Sequence, residues 1–281
     1  MEIIRTVELL RRRIDEEKQL GRSVGLVPTM GALHAGHVSL IDRARQENDI
    51  IVVSIFVNPT QFNNPEDLRT YPRTEEADCE KLINSKVDIT FIPSVEEIYP
   101  EPDTRVFDLG PVAEVMEGAM RPGHFNGVAQ IVSKLFAMVM PHRAYFGEKD
   151  FQQIAVIRRM TQLEKFDIEI IDCPIMREND GLAMSSRNVR LTPYQREIAP
   201  AIHKALIASK EYAKTHSVKD TKQRVINEIN AQPEMEVEYY EIVDSLTMQP
   251  IANWEDTQCA IGCITVYCGQ VRLIDNIKYS I

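Results

Sequence analysis

The sequence predicts an α/β chain in two parts: a mostly parallel sheet domain over residues 1–175 and a smaller α+β domain over 176–281. Three observations predict it. Ile50–Val57 is an eight-residue run, nearly all apolar and β-branched, which suits a strand buried on both faces, as in parallel sheets. Strand-like and helix-like stretches alternate up to about residue 175, the pattern of βα units. After Arg190 the alternation gives way to helices and then strands.

The elements follow in order. Ile3, Ile4, Val7, Leu10 and Ile14 have helical spacing with charges between them, and Gly21 ends the helix. Ser23–Val27 reads as a short strand broken by Pro28. Val38, Leu40, Ile41 and Ala44 mark a second helix. The strand Ile50–Val57 is stopped by Asn58-Pro59. Glu75–Ser85 reads as helix, Val87–Ile92 as strand and Gly127–Val139 as a strongly apolar helix. Arg143–Phe146 is a short strand, Phe151–Glu164 a helix and Ile168–Ile175 a strand. In the second part, Pro193–Thr215 reads as one long amphipathic helix and Lys219–Asn230 as another. Three strands follow: Val237–Val243, Cys259–Tyr267 and Val271–Asp275.

Composition narrows the function. The chain has 281 residues, 44% apolar and 26% charged, which is close to the globular average. Its 32 basic and 42 acidic residues give a net charge of −10, which argues against gripping a nucleic-acid backbone. A nucleotide pocket needs only a few local cations and N–H groups, so it stays open. The five cysteines include no CxxC pair, which suggests neither a disulfide framework nor a zinc knuckle. Cys259, Cys263 and Cys268 lie in strand-like sequence, where thiols act as small core residues. The N-terminal MEIIRTVELLRRRIDEE lacks the apolar core of a signal peptide. No apolar run approaches the roughly 18 residues of a membrane span. The expected location is the cytoplasm, with no membrane or nucleic-acid partner.

Polar residues gather after the strands. The loops are Pro28-Thr-Met-Gly-Ala-Leu-His-Ala-Gly-His37, Asn58-Pro-Thr-Gln-Phe62, Gly147-Glu-Lys-Asp-Phe-Gln-Gln153 and Arg177-Glu-Asn-Asp-Gly-Leu-Ala-Met-Ser-Ser-Arg187. All four fall at carboxyl ends of predicted strands, the edge where open α/β sheets bind ligands.

Each loop has a functional and a structural reading. His34 and His37 precede or open a helix, whose N-terminal N–H groups attract phosphate. Gly31 and Gly36 would let backbone approach a ligand. The same two histidines also fit helix capping or half of a metal site, although no Cys, Asp or Glu stands nearby at ligand spacing. Lys149 can neutralise an acyl or phosphate oxygen, and Asp150 can help hold Mg²⁺ beside a nucleotide; a Lys-Asp pair is also common on surfaces. Ser185, Ser186 and Arg187 suit a leaving pyrophosphate, and either serine also suits an N-cap. Gln61 and Gln153 are uncharged donors and acceptors, fit for a hydroxy-acid and equally for solvent. There is no GxxxxGK[ST], no GxGxxG after a strand and no GxSxG.

Taken together these segments resemble the pantothenate synthetase (pantoate–β-alanine ligase) family. The matching strings are Pro28–His37, Ser54–Phe62, Tyr71-Pro-Arg-Thr74, Arg121-Pro-Gly-His-Phe125, Phe146–Gln153, Asp180–Asn188 and Arg272-Leu-Ile-Asp-Asn276, collinear over nearly the whole chain. His-x-Gly-His alone marks only the wider nucleotidyltransferase superfamily.

The resemblance implies a Rossmann-like N-terminal domain, a C-terminal lid and a homodimer. It implies ATP-dependent condensation of pantoate with β-alanine through a pantoyl adenylate, releasing AMP and pyrophosphate, with Mg²⁺ accompanying ATP and no tightly bound organic cofactor. Thr29, Met30, Gly31, Ala32, Leu33, His34, Ala35, Gly36 and His37 would line the ATP site. Gly147, Glu148, Lys149, Asp150, Met176, Met184, Ser185, Ser186 and Arg187 would complete it. Gln61 would touch pantoate and β-alanine, Gln153 pantoate, and Asn58 the substrates. His37 is the family's named proton donor. Because a carboxylate attacks in the first step, His34, His37, Lys149 and Arg187 are expected to act mainly through charge and position. Two other readings compete: a superfamily nucleotidyltransferase, disfavoured by glutamines where a phosphorylated substrate would want cations, and a nucleotide sensor without turnover.

Overall fold

A computed structural model describes residues 1–280. By contacts the chain forms two compact units. The first comprises Met1–Gly110, Arg121–Glu148 and Val156–Pro174; the second comprises Pro111–Met120, Lys149–Ala155 and the chain from Ile175 onward. Segments 111–120 and 149–155 thus leave the sequence span of the first unit and pack with the second, which a two-piece division at 175/176 does not anticipate.

The first unit holds a six-stranded, all-parallel sheet in the order β1-β4-β3-β2-β5-β6. The strands are β1 (Glu2–Ile4), β2 (Val24–Thr29), β3 (Ile50–Ile55), β4 (Ile89–Phe91), β5 (Arg143–Gly147) and β6 (Glu169–Cys173). The longer helices between them include α1 (Val7–Gln19), α2 (Ala35–Glu47), α4 (Glu75–Asn84) and α7 (His124–Val139). Short helices α3 (Pro65–Thr70) and α5 (Val95–Ile98) sit in the loops after β3 and β4. All six residues of β3 are buried, as its apolar run requires. From β2 the chain runs outward through β3 and β4 on one side, and β5 and β6 lie on the other. The crevice beyond β2 and β5 is therefore the topological switch point, where open α/β sheets bind ligands.

Two expectations fail here for identifiable reasons. Ile3 and Ile4 belong to edge strand β1, not to the first helix, which starts after Thr6; the Thr6 hydroxyl accepts from Leu9 N–H. Pro28 does not break β2. Val24 carbonyl accepts from His142 N–H and Thr29 carbonyl from Phe56 N–H, so even-numbered residues face β5 and odd-numbered ones face β3. Pro28 therefore turns its missing N–H toward the β5 side, where pairing has already ended at Leu26↔Ala144.

The second unit is built on an antiparallel sheet, β7-β8-β9: Met235–Asp244, Ala260–Cys268 and Val271–Tyr279. Helices α9 (Pro193–Ile198), α10 (Ala201–Ala213) and α11 (Val218–Asn230) pack on one face through Ile202, Leu206, Val225, Ile264, Val266 and Leu273. On the opposite face Ile261, Cys263 and Val243 cluster with Met116, Phe151 and Ala155. Thus segment 111–120, with short helix α6 (Glu117–Met120), and the first turns of α8 (Phe151–Leu163) cover that face. Arg272 of β9 donates two hydrogen bonds, 2.8 and 2.6 Å, to the Glu117 carboxylate and also pairs with Glu238. This buried bidentate pair ties α6 to the sheet. Cys263 and Cys268 are buried, one on each face; Cys259 precedes the strand.

The single helix expected over 193–215 is two, because Pro200 supplies no N–H and its ring excludes the carbonyl four residues back. Strand β9 runs past Asp275 to Tyr279, since Asp275 and Asn276 find tertiary partners inside the fold.

His203 on α10 lowers stability in acid. Its Nδ1 is buried without a partner, and burial first, then the Arg177 charge, push its pKa below the usual value despite the opposing pull of Asp275. The unfolded chain, titrating near about 6.5, therefore binds more protons than the native state below that pH. The contribution is complete above about 6.5 and is lost as pH falls. His203→Leu is expected to flatten the dependence: its urea midpoint should change less than the parent's between neutral pH and pH about 5. Equal slopes for parent and variant would assign the acid sensitivity elsewhere.

Candidate active site

In the first unit, the segment Thr29–His37 joins β2 to α2. Thr29 is buried; its hydroxyl donates to Ser54 O (2.7 Å) and accepts Gly31 N–H (3.2 Å). The loop then turns through two left-handed residues, Gly31 (φ +79°) and Ala32 (φ +49°). A side chain at 31 would stand 3.0 Å from Ile55 and 3.1 Å from Asp78, so glycine fits for space as well as conformation.

Asp78 holds this turn in place. Fully buried on α4, its carboxylate accepts Ala32 N–H at 2.8 Å and Leu33 N–H at 2.7 Å, with the Thr74 hydroxyl at 3.2 Å. Read in sequence, Asp78 is one of three acids at the start of an ordinary helix, and no local signal separates it from Glu75 and Glu76.

His34 is the N-cap of α2, and its Nδ1 accepts Gly36 N–H at 3.1 Å. His37 Nδ1 accepts His34 N–H at 3.2 Å. Capping and function are thus not alternatives here. An Nδ1 that accepts a backbone N–H carries no proton, so each imidazole has its proton on Nε2 and offers that atom as a donor. The rings stand 4.1 Å apart at the open end of a helix whose first N–H groups and dipole favour anions.

The loop after β3 positions Gln61. Asn58 is spent on the fold: its amide donates to Gln61 Oε1 (3.2 Å) and Gly127 O (3.1 Å), and its oxygen accepts from Tyr99 OH (2.8 Å) and Thr60 (3.2 Å). Gln61 Nε2 lies 3.1 Å from Met30 Sδ, a weak acceptor, so the amide nitrogen of this buried side chain is held on a weak partner while its oxygen accepts from Asn58. His124 contacts Gln61 O at 2.8 Å and Arg121 Nη1 at 3.2 Å. Arginine can only donate, so His124 carries its proton on Nδ1 and gives it to the carbonyl. Gly127 allows the approach: a Cβ there would lie 2.4 Å from Thr60 O. The string Arg121–Phe125 thus fixes the Gln61 backbone. A cavity of about 350 Å³ borders Met30, Gly31, Val57, Arg73 and Asp78, within the roughly 300–1,000 Å³ usual for small-molecule sites.

Gly147 and Glu148 close β5 in the first unit; Lys149, Asp150 and Gln153 belong to the second. Asp150 is exposed and Gln153 half-buried. The neighbouring Gln152 is structural, donating to Val112 O and Val115 O and accepting Glu117 N–H. Among the described residues no group of three or more His, Cys, Asp or Glu is gathered as a metal site. Asp150 alone suits a hard cation that takes most of its ligands from phosphates and water, as Mg²⁺ does.

The last loop is a short hairpin. Arg177 bridges Ala183, Met184 N–H donates to Met176 O (3.0 Å) and Gly181 turns at φ +97°. Ser185 caps the short turn Ser186–Arg190, accepting Arg187 N–H at 3.2 Å. Lys149, Ser185, Asn188 and Asp275 border one small cavity. Within the second unit, then, the Lys149 loop and the Met184–Arg187 segment come together.

Residues 2–278 match the family described as pantoate–β-alanine ligase. The chain belongs to the pantoate–β-alanine ligase family. It is 60% identical over 280 residues to the pantothenate synthetase of Porphyromonas gingivalis strain W83, covering 100% of both chains. Its fold matches the pantothenate synthetase of Thermus thermophilus with a TM-score of 0.92, at 45% identity and 99% coverage of each chain. It also matches the pantoate–β-alanine ligase of Francisella tularensis, solved in complex with beta-gamma ATP and β-alanine. There the TM-score is 0.82 at 35% identity, covering 99% of this chain and 97% of that one. As a pantoate–β-alanine ligase the protein is an enzyme of the ligase class, and the alternative of a sensor without turnover falls away.

Proposed function

We propose that this ligase condenses pantoate with β-alanine in two ATP-dependent steps. The pantoate carboxylate attacks the α-phosphorus of ATP, forming pantoyl adenylate and releasing pyrophosphate. The β-alanine amine then attacks the acyl carbon, forming pantothenate and releasing AMP. The observation that carries this reading is the His34/His37 pair: two Nε2–H donors fixed by backbone hydrogen bonds at the N-terminus of α2.

The remaining roles follow from chemistry. The attacking carboxylate needs no deprotonation, and the leaving pyrophosphate needs its charge spread. His34 and His37 donate to phosphate oxygens, and Lys149, Ser185, Ser186 and Arg187 neutralise the leaving group. Thr29–Leu33, Ala35, Gly36, Gly147, Glu148 and Met176 supply backbone and apolar walls for ATP. Gln61 and Gln153 hydrogen-bond pantoate, and Gln61 also steers the β-alanine amine; Asn58 acts by holding Gln61. Asp150 would help hold the Mg²⁺ that accompanies ATP, and the ion would supply screening of the phosphate charge. The enzyme works as a homodimer in the cytoplasm; no described helix is long and apolar enough to cross a membrane.

The test is pyrophosphate release with ATP and Mg²⁺. Pantoate alone should give a stoichiometric burst, and added β-alanine should turn it into steady release of pyrophosphate and AMP. A dinucleotide product would identify a nucleotidyltransferase instead, and no pyrophosphate under either condition would reject the reading.

A further inference from the structure

The string Arg272-Leu-Ile-Asp-Asn276 belongs to the motifs of this chain, yet none of its residues takes part in the roles assigned above. It lies wholly on β9. Successive residues of a strand face opposite sides. Asp275 shares its face with Leu273 and Ile277, which pack against the helices, and Asn276 points to the other side.

Each makes a long-range tie. The buried Asp275 carboxylate accepts both arms of Arg177, at 2.7 and 2.9 Å, and Arg177 also donates to Gly181 O at 3.1 Å. That fastens the base of the hairpin ending in Met184–Arg187. Buried Asn276 donates from Nδ2 to Lys149 O at 3.1 Å. Asp275 also accepts Asn276 N–H at 2.7 Å, so the two anchors are linked to each other.

A buried ion pair is weak evidence for stability, because apolar residues of similar volume often hold a fold as well. Its geometry here has a more specific consequence. Lys149 and Ser185 border the same small cavity, as does Asp275 itself. Two segments from distant parts of the chain bring a lysine and a serine to it, and adjacent residues of one strand tie down both segments. A displacement of about 1 Å in such groups costs on the order of 10²-fold in rate.

We infer that Asp275 and Asn276 are positioning residues for the ATP-dependent half-reaction, setting the register between the Lys149 loop and the Met184–Arg187 segment. This rests on the reading that those two segments bind ATP.

The experiment measures pyrophosphate release in the first half-reaction, varying ATP and pantoate separately, alongside thermal unfolding. The variants are Asn276→Ala, Asp275→Asn, Lys149→Ala and the double Lys149→Ala/Asn276→Ala. Asn276→Ala is expected to raise KM for ATP at least about tenfold, with KM for pantoate within about twofold and the unfolding midpoint nearly unchanged. Asp275→Asn should act in the same direction more strongly; if it does not fold, Asn276→Ala decides, since it removes a neutral side chain and leaves the Asp275–Arg177 ion pair in place. The double variant should lose little beyond Lys149→Ala, because Asn276 acts through the Lys149 loop. An unchanged KM for ATP in Asn276→Ala, with Lys149→Ala impaired, overturns the inference. Fully additive losses overturn it too. A Lys149→Ala variant with normal adenylate formation would instead reject the underlying ATP-site reading.

Discussion

His37→Ala is expected to slow pantoyl-adenylate formation by on the order of 10²–10³, the loss seen when one preorganised donor to a developing oxyanion is removed. The imidazole does two things. Its Nδ1 accepts His34 N–H and completes the capping box of α2, and its Nε2–H is the donor proposed to meet phosphate. Alanine removes both, and the cap alone is worth about 1 kcal/mol of stability. His37→Gln separates the two. Glutamine is a natural third residue of a capping box, so it should restore the unfolding midpoint while recovering only part of the rate. A near-normal pyrophosphate burst from His37→Ala would remove the electrostatic role assigned to this residue. Full recovery in His37→Gln would reduce the role to placement of the helix terminus.

Asp78→Ala is expected to cost about 3 kcal/mol and most of the activity, although Asp78 is assigned no contact with substrate. Its removal takes the carboxylate acceptor away from Ala32 and Leu33 N–H, at roughly 1–3 kcal/mol each. In a chain of this size that lowers the unfolding midpoint by roughly 5–10 °C. The turn it holds includes Ala32 at φ +49°, a conformation alanine adopts only when its surroundings impose it. Released, the turn relaxes and carries His34 and His37 with it. Asp78→Asn keeps the shape and one acceptor but sets its amide against the other N–H, so about half the stability loss is expected with most of the activity loss. A stable Asp78→Ala protein with the parent's KM for ATP would show that α2 holds its histidines without help.

Much of the candidate site was legible because its signals are local. His34 and His37 announce themselves by spacing, Gly31 by the turn it permits, and the four loops by following apolar strands. Other residues were illegible for the opposite reason. Asp78 resembles any acid in a helix's first turn until the fold brings it to Ala32, 46 positions away. Gln152 and Gln153 look alike in sequence, and only packing commits Gln152 to Val112 and Val115. Asn58 reads as a candidate ligand, whereas the structure occupies both ends of its amide.

The sequence by itself determined the alternation of strands and helices, the placing of polar loops at strand carboxyl ends and the family. These rest on periodicity, turn chemistry and contiguous motifs, all set by near neighbours along the chain. Tertiary structure alone decided that Pro28 continues its strand, that segments 111–120 and 149–155 pack with the second unit, and that Asp275 and Asn276 anchor two loops. The contact of Asn276 with Lys149 spans 127 positions. Whether a polar side chain there is a tie, a ligand or a solvated surface group depends on which distant carbonyl or carboxylate the packed core delivers to it.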